Sequence, residues 1–485
     1  MQPCSFMTRV VAASIFSRVL PARGVGCLVM GDPVAVVGSG LRWWRRDRIL
    51  DLNNYSKIRS AGWASAVGDS RRIEMSDTPA TSASAGAGDW CGADPFAPDF
   101  RDDPYPALNH LRETDPVNLT PVGPWRICRY DDLQKIHKHA KTSQTLSNGE
   151  SPNFDPLDTR GSFLGFMLNE DGDYHMRLRR LAQRTLNFKT VRIMEEEVER
   201  SVKASMDRAI DAGGMELIND MARYVPSRMM CHIVGIPEAD RDLFIEWTGA
   251  RTNAFFARFL PEDVKQRTRD AGLAMADYFE AMVRERRKSP GDDLVSQLIL
   301  ADQQSGEADA LSDEALAIQA IGVTIAGYET TIGLIGNGLR QLIAHPEQLQ
   351  VLRDEPDTTG NAVEECLRFD APILFHWRVL EEEFELGGKT LPSDSVLWLM
   401  MACANHDPRK FDDPDVFDIR RPKPAHASFG GGMHFCMGNA LARMEAKHVF
   451  REFADRTAGL TIEAGELEWS HSFFRVMASL PLEFR

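Results

Sequence analysis

A mainly α fold with a minor β component is what this 485-residue chain predicts. Helical patterning dominates from Pro104 to Ala344, and one pattern inside it, Ser312 to Ala344, is unusually long. Strand-like runs are few and short. A content of 43% hydrophobic and 26% charged residues describes a soluble globular chain able to bury a large core. No internal repeat is visible.

The first 75 residues differ from the rest. They hold 11 Lys and Arg against 5 Asp and Glu, a net of +6, which leaves −21 on the remainder of a chain whose total is −15. Three readings compete. Met1 to Arg23 has the Arg-rich, acid-poor look of a transit peptide, but Trp43-Trp44-Arg45-Arg46 and the stretch after it do not continue that theme. A membrane anchor needs an apolar run of about 18 or more residues, and Val25 to Val37 is shorter and broken by Gly, Asp and Pro. In the third reading the region is not native protein: Met75 precedes Ser-Asp-Thr-Pro-Ala-Thr-Ser-Ala-Ser-Ala-Gly-Ala-Gly, and translation is expected to begin there. The division is therefore a basic extension over 1–75, disordered or not native, a low-complexity linker over 76–91, and one domain over 92–485.

Within that domain, Pro104 to Thr114 reads as a first helix and Trp125 to Tyr130 as an early strand. The long pattern has Ser312 as N-cap, Asp313 and Glu314 in the favourable first turn, and a stop at His345-Pro346. At 1.5 Å per residue such a helix is roughly 45–50 Å long. Between Glu314 and Arg340 its only charged residue is Glu329, inside Ala326-Gly327-Tyr328-Glu329-Thr330-Thr331. The glycines, threonines and Asn337 make a membrane span a poor reading of it. A buried helix with one acid beside hydroxyls reads better as a functional site, because an unpaired buried carboxylate is costly.

Farther on, Asn361 to Phe369 is helical and puts Glu365 and Arg368 on one face, a spacing that taken alone means a surface salt bridge of little worth. Strands follow around Val379-Leu380, Phe384 to Leu391 and Val396 to Met400. The most informative stretch is Phe429-Gly-Gly-Gly-Met-His-Phe-Cys-Met-Gly438, which sets one cysteine in a glycine loop ahead of a helical pattern over Asn439 to Phe450. Glycine permits close approach of backbone to ligand, and the amides at the helix start can keep the sulfur deprotonated. The other cysteines, Cys4, Cys27, Cys91, Cys128, Cys231, Cys366 and Cys403, read as small buried hydrophobes. None of the eight forms a Cys-x-x-Cys pair, and a single thiol builds neither a zinc nor an iron–sulfur site. Ligation by one sulfur alone suits haem.

Here the chain resembles the cytochrome P450 family. Phe429, Gly432, His434, Cys436 and Gly438 match every fixed position of its loop Phe-x-x-Gly-x-His/Arg-x-Cys-x-Gly, with His434 the bacterial-type variant. The resemblance implies a single-domain P450 fold with a long central distal helix and a proximal cysteine loop. It also implies haem b as cofactor, Cys436 as the iron ligand and His434 as a partner of a haem propionate. The family's distal signature Ala/Gly-Gly-x-Asp/Glu-Thr matches Ala326, Gly327, Glu329 and Thr330. By resemblance Thr330 hydrogen-bonds dioxygen, Glu329 relays protons to it, and Gly327 leaves room for the diatomic molecule. Glu365 and Arg368 match the family's structural Glu-x-x-Arg pair, whose third member is expected at Arg421, with Arg420 beside it as the alternative. His175 and Arg179, in His-x-x-x-Arg, and Arg378 are the further propionate donors that the resemblance nominates.

The resemblance covers roughly residues 92–485 and implies a catalytic domain: a monooxygenase that hydroxylates or epoxidises with O₂ and two electrons. No strand–Gly-x-Gly-x-x-Gly–helix unit follows the cysteine loop, so the electrons are expected from a small acidic ferredoxin and an NAD(P)H-dependent ferredoxin reductase. Arg177, Arg179, Arg180, Arg184, Lys189, Arg420, Arg421, Lys423, Arg443 and Lys447 lie in segments that the resemblance places on the cysteine-ligand side, where they would steer such a partner. The expected location is cytoplasmic, with no stable membrane anchor, and nothing in the chain points to nucleic acid. A small-to-medium apolar substrate is expected against Phe163, Phe166, Phe255, Phe256, Phe375, Trp377, Phe473 and Phe474. Two rivals remain open. A peroxide-driven or nitric-oxide-reducing enzyme would not need Glu329-Thr330, and a non-catalytic sensor would need a second ligand that the distal helix does not offer near Thr330.

Overall fold

The computed structural model describes residues 91–485 except 96, 156–162, 186–187, 306–309, 423 and 471, together with strands inside 35–51. The strands inside 35–51 belong to one unit and residues 91–485 to another, the body. In the first unit, Ala35–Val37, Gly40–Arg45 and Arg48–Asp51 pair as an antiparallel meander. The expected start at Met75 and nearly all of the linker over 76–91 lie outside the described residues.

The body is built around one helix. Among the segments that position the site are α1 (Tyr105–Thr114), α2 (Tyr130–His139), α3 (Gly172–Thr185), α4 (Phe188–Ala212), α5 (Tyr224–Val234), α6 (Glu262–Lys288), α7 (Asp313–Ala344), α8 (Thr359–Phe369) and α9 (Asn439–Arg456). The Ser312 hydroxyl accepts from Ala315 N at 3.0 Å and caps α7, with Asp313 and Glu314 in its first turn, as the sequence predicts. Helices α5, α6, α8 and α9 all pack on α7. Its glycines are what let them come close: a Cβ at Gly338 would lie 2.3 Å from the Phe450 ring of α9. Among the described residues α7 is the one helix long and apolar enough to cross a membrane, and 78% of its most apolar window is buried inside the body. It is a core helix.

A five-stranded sheet flanks the helices. Its strands are β1 (Val117–Leu119), β2 (Trp125–Ile127), β3 (Thr142–Ser143), β4 (His376–Leu380) and, after a hairpin, β7 (Val396–Leu399), in the order β1-β2-β7-β4-β3. The expected strand over Phe384 to Leu391 is two: β5 (Phe384–Leu386) and β6 (Lys389–Leu391) fold back through Gly387 and Gly388, both at positive φ. The early strand stops at Ile127 because Tyr130 already opens α2. Leu397 and Leu399 of β7, Ile127 of β2 and Leu133 and Ile136 of α2 form a second, smaller core beneath the sheet. In β4, whose side chains alternate, His376 and Arg378 share one face and Trp377 takes the other.

Candidate active site

The loop from Phe429 to Gly438 turns twice through left-handed glycine, at Gly430 (φ 68°) and Gly432 (φ 66°). Cys436 N donates to Phe429 O at 3.0 Å, and Asn439 Nδ2 donates to Cys436 O at 2.7 Å, so the cysteine is fixed at the start of α9. Burial pushes its thiol upward, while the Gly438 and Asn439 amides and the Arg179 and Arg443 charges pull the other way. Arg443 also lies over the Phe429 ring at 4.4 Å and grips Glu364 through Nε (2.6 Å) and Nη2 (3.0 Å).

Across one cavity from this loop stands the middle of α7. Cys436, Phe429, His434 and Gly438 border it on one side, and Val323, Ala326, Gly327, Thr330, Thr331 and Leu334 on the other. Thr330 Oγ1 donates to Ala326 O at 2.6 Å and Thr331 Oγ1 to Gly327 O at 2.9 Å, two successive back-bonds of a kind that bends a helix. A Cβ at Gly327 would lie 2.8 Å from Met230 Sδ, so glycine there also serves the approach of α5. Glu329 is buried but does not border the cavity. Burial raises its carboxyl to about 7, against the opposing charge of Arg223.

Of the eight expected aromatic residues, Phe166, Phe255, Phe375, Trp377, Phe473 and Phe474 line the cavity. Phe163 and Phe256 stand behind them, Phe163 stacked on Phe255 at 4.7 Å and Phe256 edge-on to Phe375 at 6.0 Å. Phe473 and Phe474 are held by a buried ion network. Arg475 N donates to Pro372 O (2.8 Å), and Asp370 accepts from Arg475 Nε (2.7 Å) and Arg340 Nη2 (2.6 Å). These two guanidinium groups hold the Asp370 carboxyl far below the usual carboxylate range despite its burial.

The cavity wall also gathers cationic and hydrogen-donating groups. Arg378, His376, His434, His175 and Arg179 all border it. Burial lowers Arg378 to about 10, and burial together with Arg378 lowers both His434 and, behind the wall, His137 to about 4. The acid that reaches the group is Asp171, and its oxygens already accept from His434 Nε2 (3.2 Å) and Gln144 N (2.6 Å). Nε2 of His376 and Nε2 of Gln144 are buried without a hydrogen-bond partner among the described residues. Donors collected with too few acceptors make a site for an anionic group.

Farther from the cavity, Arg368 Nε and Nη2 each donate to Glu365 at 2.8 Å, and both side chains are fully buried. Arg421 Nε joins Glu365 at 3.3 Å, whereas Arg420 turns outward to Glu355, so Arg421 is the third member of the cluster. Arg368 further donates to Asn405 O, Pro414 O and Val416 O, and thereby fixes the chain that leads to the cysteine loop.

The cytochrome P450 family model matches residues 117–453. The chain belongs to the cytochrome P450 family. It is 32% identical over 392 residues to the biotin biosynthesis cytochrome P450 of Bacillus subtilis, covering 80% of this chain and 97% of that one. To the 6-deoxyerythronolide B hydroxylase of Saccharopolyspora erythraea it is 32% identical over 77% of this chain and 94% of the relative. The crystal structure of P450BioI in complex with a hexadec-9Z-enoic acid ligated acyl carrier protein superposes with a TM-score of 0.72 at 29% identity, over 80% of this chain and 99% of that one. The chain is thus a P450 monooxygenase of bacterial type with haem as cofactor.

The residues present fit that group. A P450 haem brings a ligand-seeking iron and two carboxylates, and the cavity has one sulfur at a helix start and a wall of donors short of acceptors. Two parts of that wall, His376 with His137 behind it and Gln144, were not among the residues singled out from the sequence. The signal for His376 was present: in a strand it shares a face with Arg378, two residues on. No local pattern marks His137 or Gln144, which tertiary packing brings in from α2 and from the end of β3.

Proposed function

We propose that the chain hydroxylates or epoxidises a small-to-medium apolar molecule, using O₂ and two electrons from an acidic ferredoxin served by an NAD(P)H-dependent reductase. The observation that carries this is the single cavity with Cys436 on one side, Thr330 on the other and aromatic walls between. A haem held at Cys436 supplies the activation of dioxygen and the transfer of one of its atoms to the substrate.

The chain's residues do the rest. Cys436 presents its sulfur as a thiolate, favoured by the amides of Gly438 and Asn439 and by Arg179 and Arg443. Arg378 and Arg179 hold the cofactor's carboxylates, His434 and His175 line the same wall, and Phe429 and Gly432 shape the loop. Thr330 Oγ1 lets go of Ala326 O and turns its proton to the oxygen side of the cavity. Glu329, raised to about 7, exists in both protonation states near neutrality and recharges that hydroxyl from the other side of α7. The other oxygen atom leaves as water, which takes up two protons. Phe166, Phe255, Phe375 and Phe473 bind the substrate by area and shape and keep bulk water out. The hexadec-9Z-enoic acid carried by the acyl carrier protein bound to P450BioI supports an apolar ligand.

The electron donor docks on the face of α3 and the cysteine loop, where Arg180 is exposed beside Met176 and Met433. The cationic face is smaller than the sequence implies, because Arg177 pairs with Asp302, Arg420 with Glu355 and Arg443 with Glu364. Lys423 and the side chain of Lys189 lie outside what the structure describes. The proposed location is cytoplasmic. The test is reconstitution with an acidic ferredoxin, its reductase, isotopically labelled O₂ and a panel of apolar compounds chosen by spin-state shift. One labelled oxygen per product, with turnover falling as salt rises, is expected. Turnover indifferent to salt removes the acidic partner, and product formed only with peroxide removes the electron chain.

A further inference from the structure

Three histidines border the cavity, and their ring protons can be traced. Both ring nitrogens of His175 face carbonyl oxygens, Nδ1 at 2.6 Å from Met167 O and Nε2 at 3.3 Å from Met433 O, so no ring N–H of it is left without an acceptor. His434 Nε2 lies 3.2 Å from Asp171 Oδ1, a carboxylate that only accepts, so its proton is used there. His376 differs. Its Nδ1 lies 3.3 Å from Arg378 Nη1, and a guanidinium only donates, so Nδ1 is the acceptor and the proton sits on Nε2. That Nε2 is buried with no hydrogen-bond partner among the described residues. A donor left so is destabilising and calls for an acceptor.

The ring is also held in place. His137 of α2 stacks on it at 5.3 Å with the planes 9° apart. Gly431 of the cysteine loop closes over His137, since a Cβ there would lie 2.8 Å from its Cδ2. A fixed ring with an unused N–H, on the same strand face as Arg378, is suited to a flat anionic group.

We propose that His376 is the histidine that donates to a haem carboxylate, through Nε2, and that His137 is its positioning residue. This rests on the haem reading of the cavity and reassigns within it the role that the sequence places on His434 and His175. The test times haem transfer from the holoprotein to excess apomyoglobin for wild type and His376→Phe, which keeps a flat ring against His137 and removes the N–H. Loss of native haem should quicken about tenfold, the scale of one hydrogen bond to a charged group. With haem dimethyl ester, whose carboxylates are masked, the two proteins should lose haem at equal rates. Equal acceleration with both haems, or unchanged loss of native haem, overturns the proposal. His376→Gln, which restores an N–H, should fall between the two with native haem and carries the same comparison if the Phe variant does not fold. A wild type that takes up no haem would instead refute the haem reading itself.

Discussion

Two buried arginine clusters in this chain are built on opposite principles. Around Glu365, Arg368 and Arg421 the guanidinium protons are matched by carboxylate and carbonyl oxygens of the protein itself. Arg378 donates to Trp377 O and His376 Nδ1, and Asp171, the acid near it among the described residues, is already engaged. A closed cluster has nothing left to offer a ligand and serves the fold. An open cluster is incomplete until an anion arrives. Matching of donors to acceptors separates Arg368 from Arg378 better than burial does, because both are buried.

The largest effect should come from breaking the closed cluster. Arg368→Ala leaves Glu365 charged and fully buried, a loss of about 3–5 kcal/mol, so thermal melts of the haem-free chain should show severe destabilisation or no folding. Arg378→Ala in the same assay should leave the apo stability nearly unchanged while haem binding weakens. Equal loss of apo stability in both variants would erase the distinction. Next in size, Thr330→Ala should lower product formed per electron pair by roughly 10²-fold, the low end for a positioned proton donor, with the thiolate-type CO spectrum retained. In wild type that yield should fall as pH rises through about 7, where Glu329 loses its proton, and Glu329→Gln should flatten that limb.

The smallest effect concerns an acid that belongs to neither cluster. Glu445 on α9 is buried, its Oε2 has no partner among the described residues, and burial alone raises it to about 8. In the unfolded chain it ionises near 4.5, so between that pH and about 8 the folded state binds the extra proton and stability declines as pH rises. Glu445→Gln should therefore raise stability by about 1–3 kcal/mol at pH 8 and by much less at pH 4. A pH-independent difference in melting temperature would show that a partner compensates the charge.

Much of this was legible in the chain. The Ser312 cap, the His345-Pro346 stop and the lone Glu329 defined α7 and its special point, because capping and helix period are local rules. The cysteine loop was legible because glycine positions and one thiol at a helix start are local too. Harder to read were the hairpin at Gly387-Gly388, taken as one strand, and the choice of Arg421 over Arg420, since adjacent arginines look alike until one of them finds Glu365.

By itself, then, the sequence determined the family, the long central helix, the cysteine in its glycine loop and the adjacent Glu329 and Thr330, each written within a few residues of chain. Tertiary structure alone decided which guanidinium groups are closed and which open, which aromatic rings face the cavity, and which histidine keeps an unused proton. Those properties depend on partners as distant along the chain as His137 and His376, and hydrogen-bond matching becomes defined only when packing sets donor and acceptor side by side.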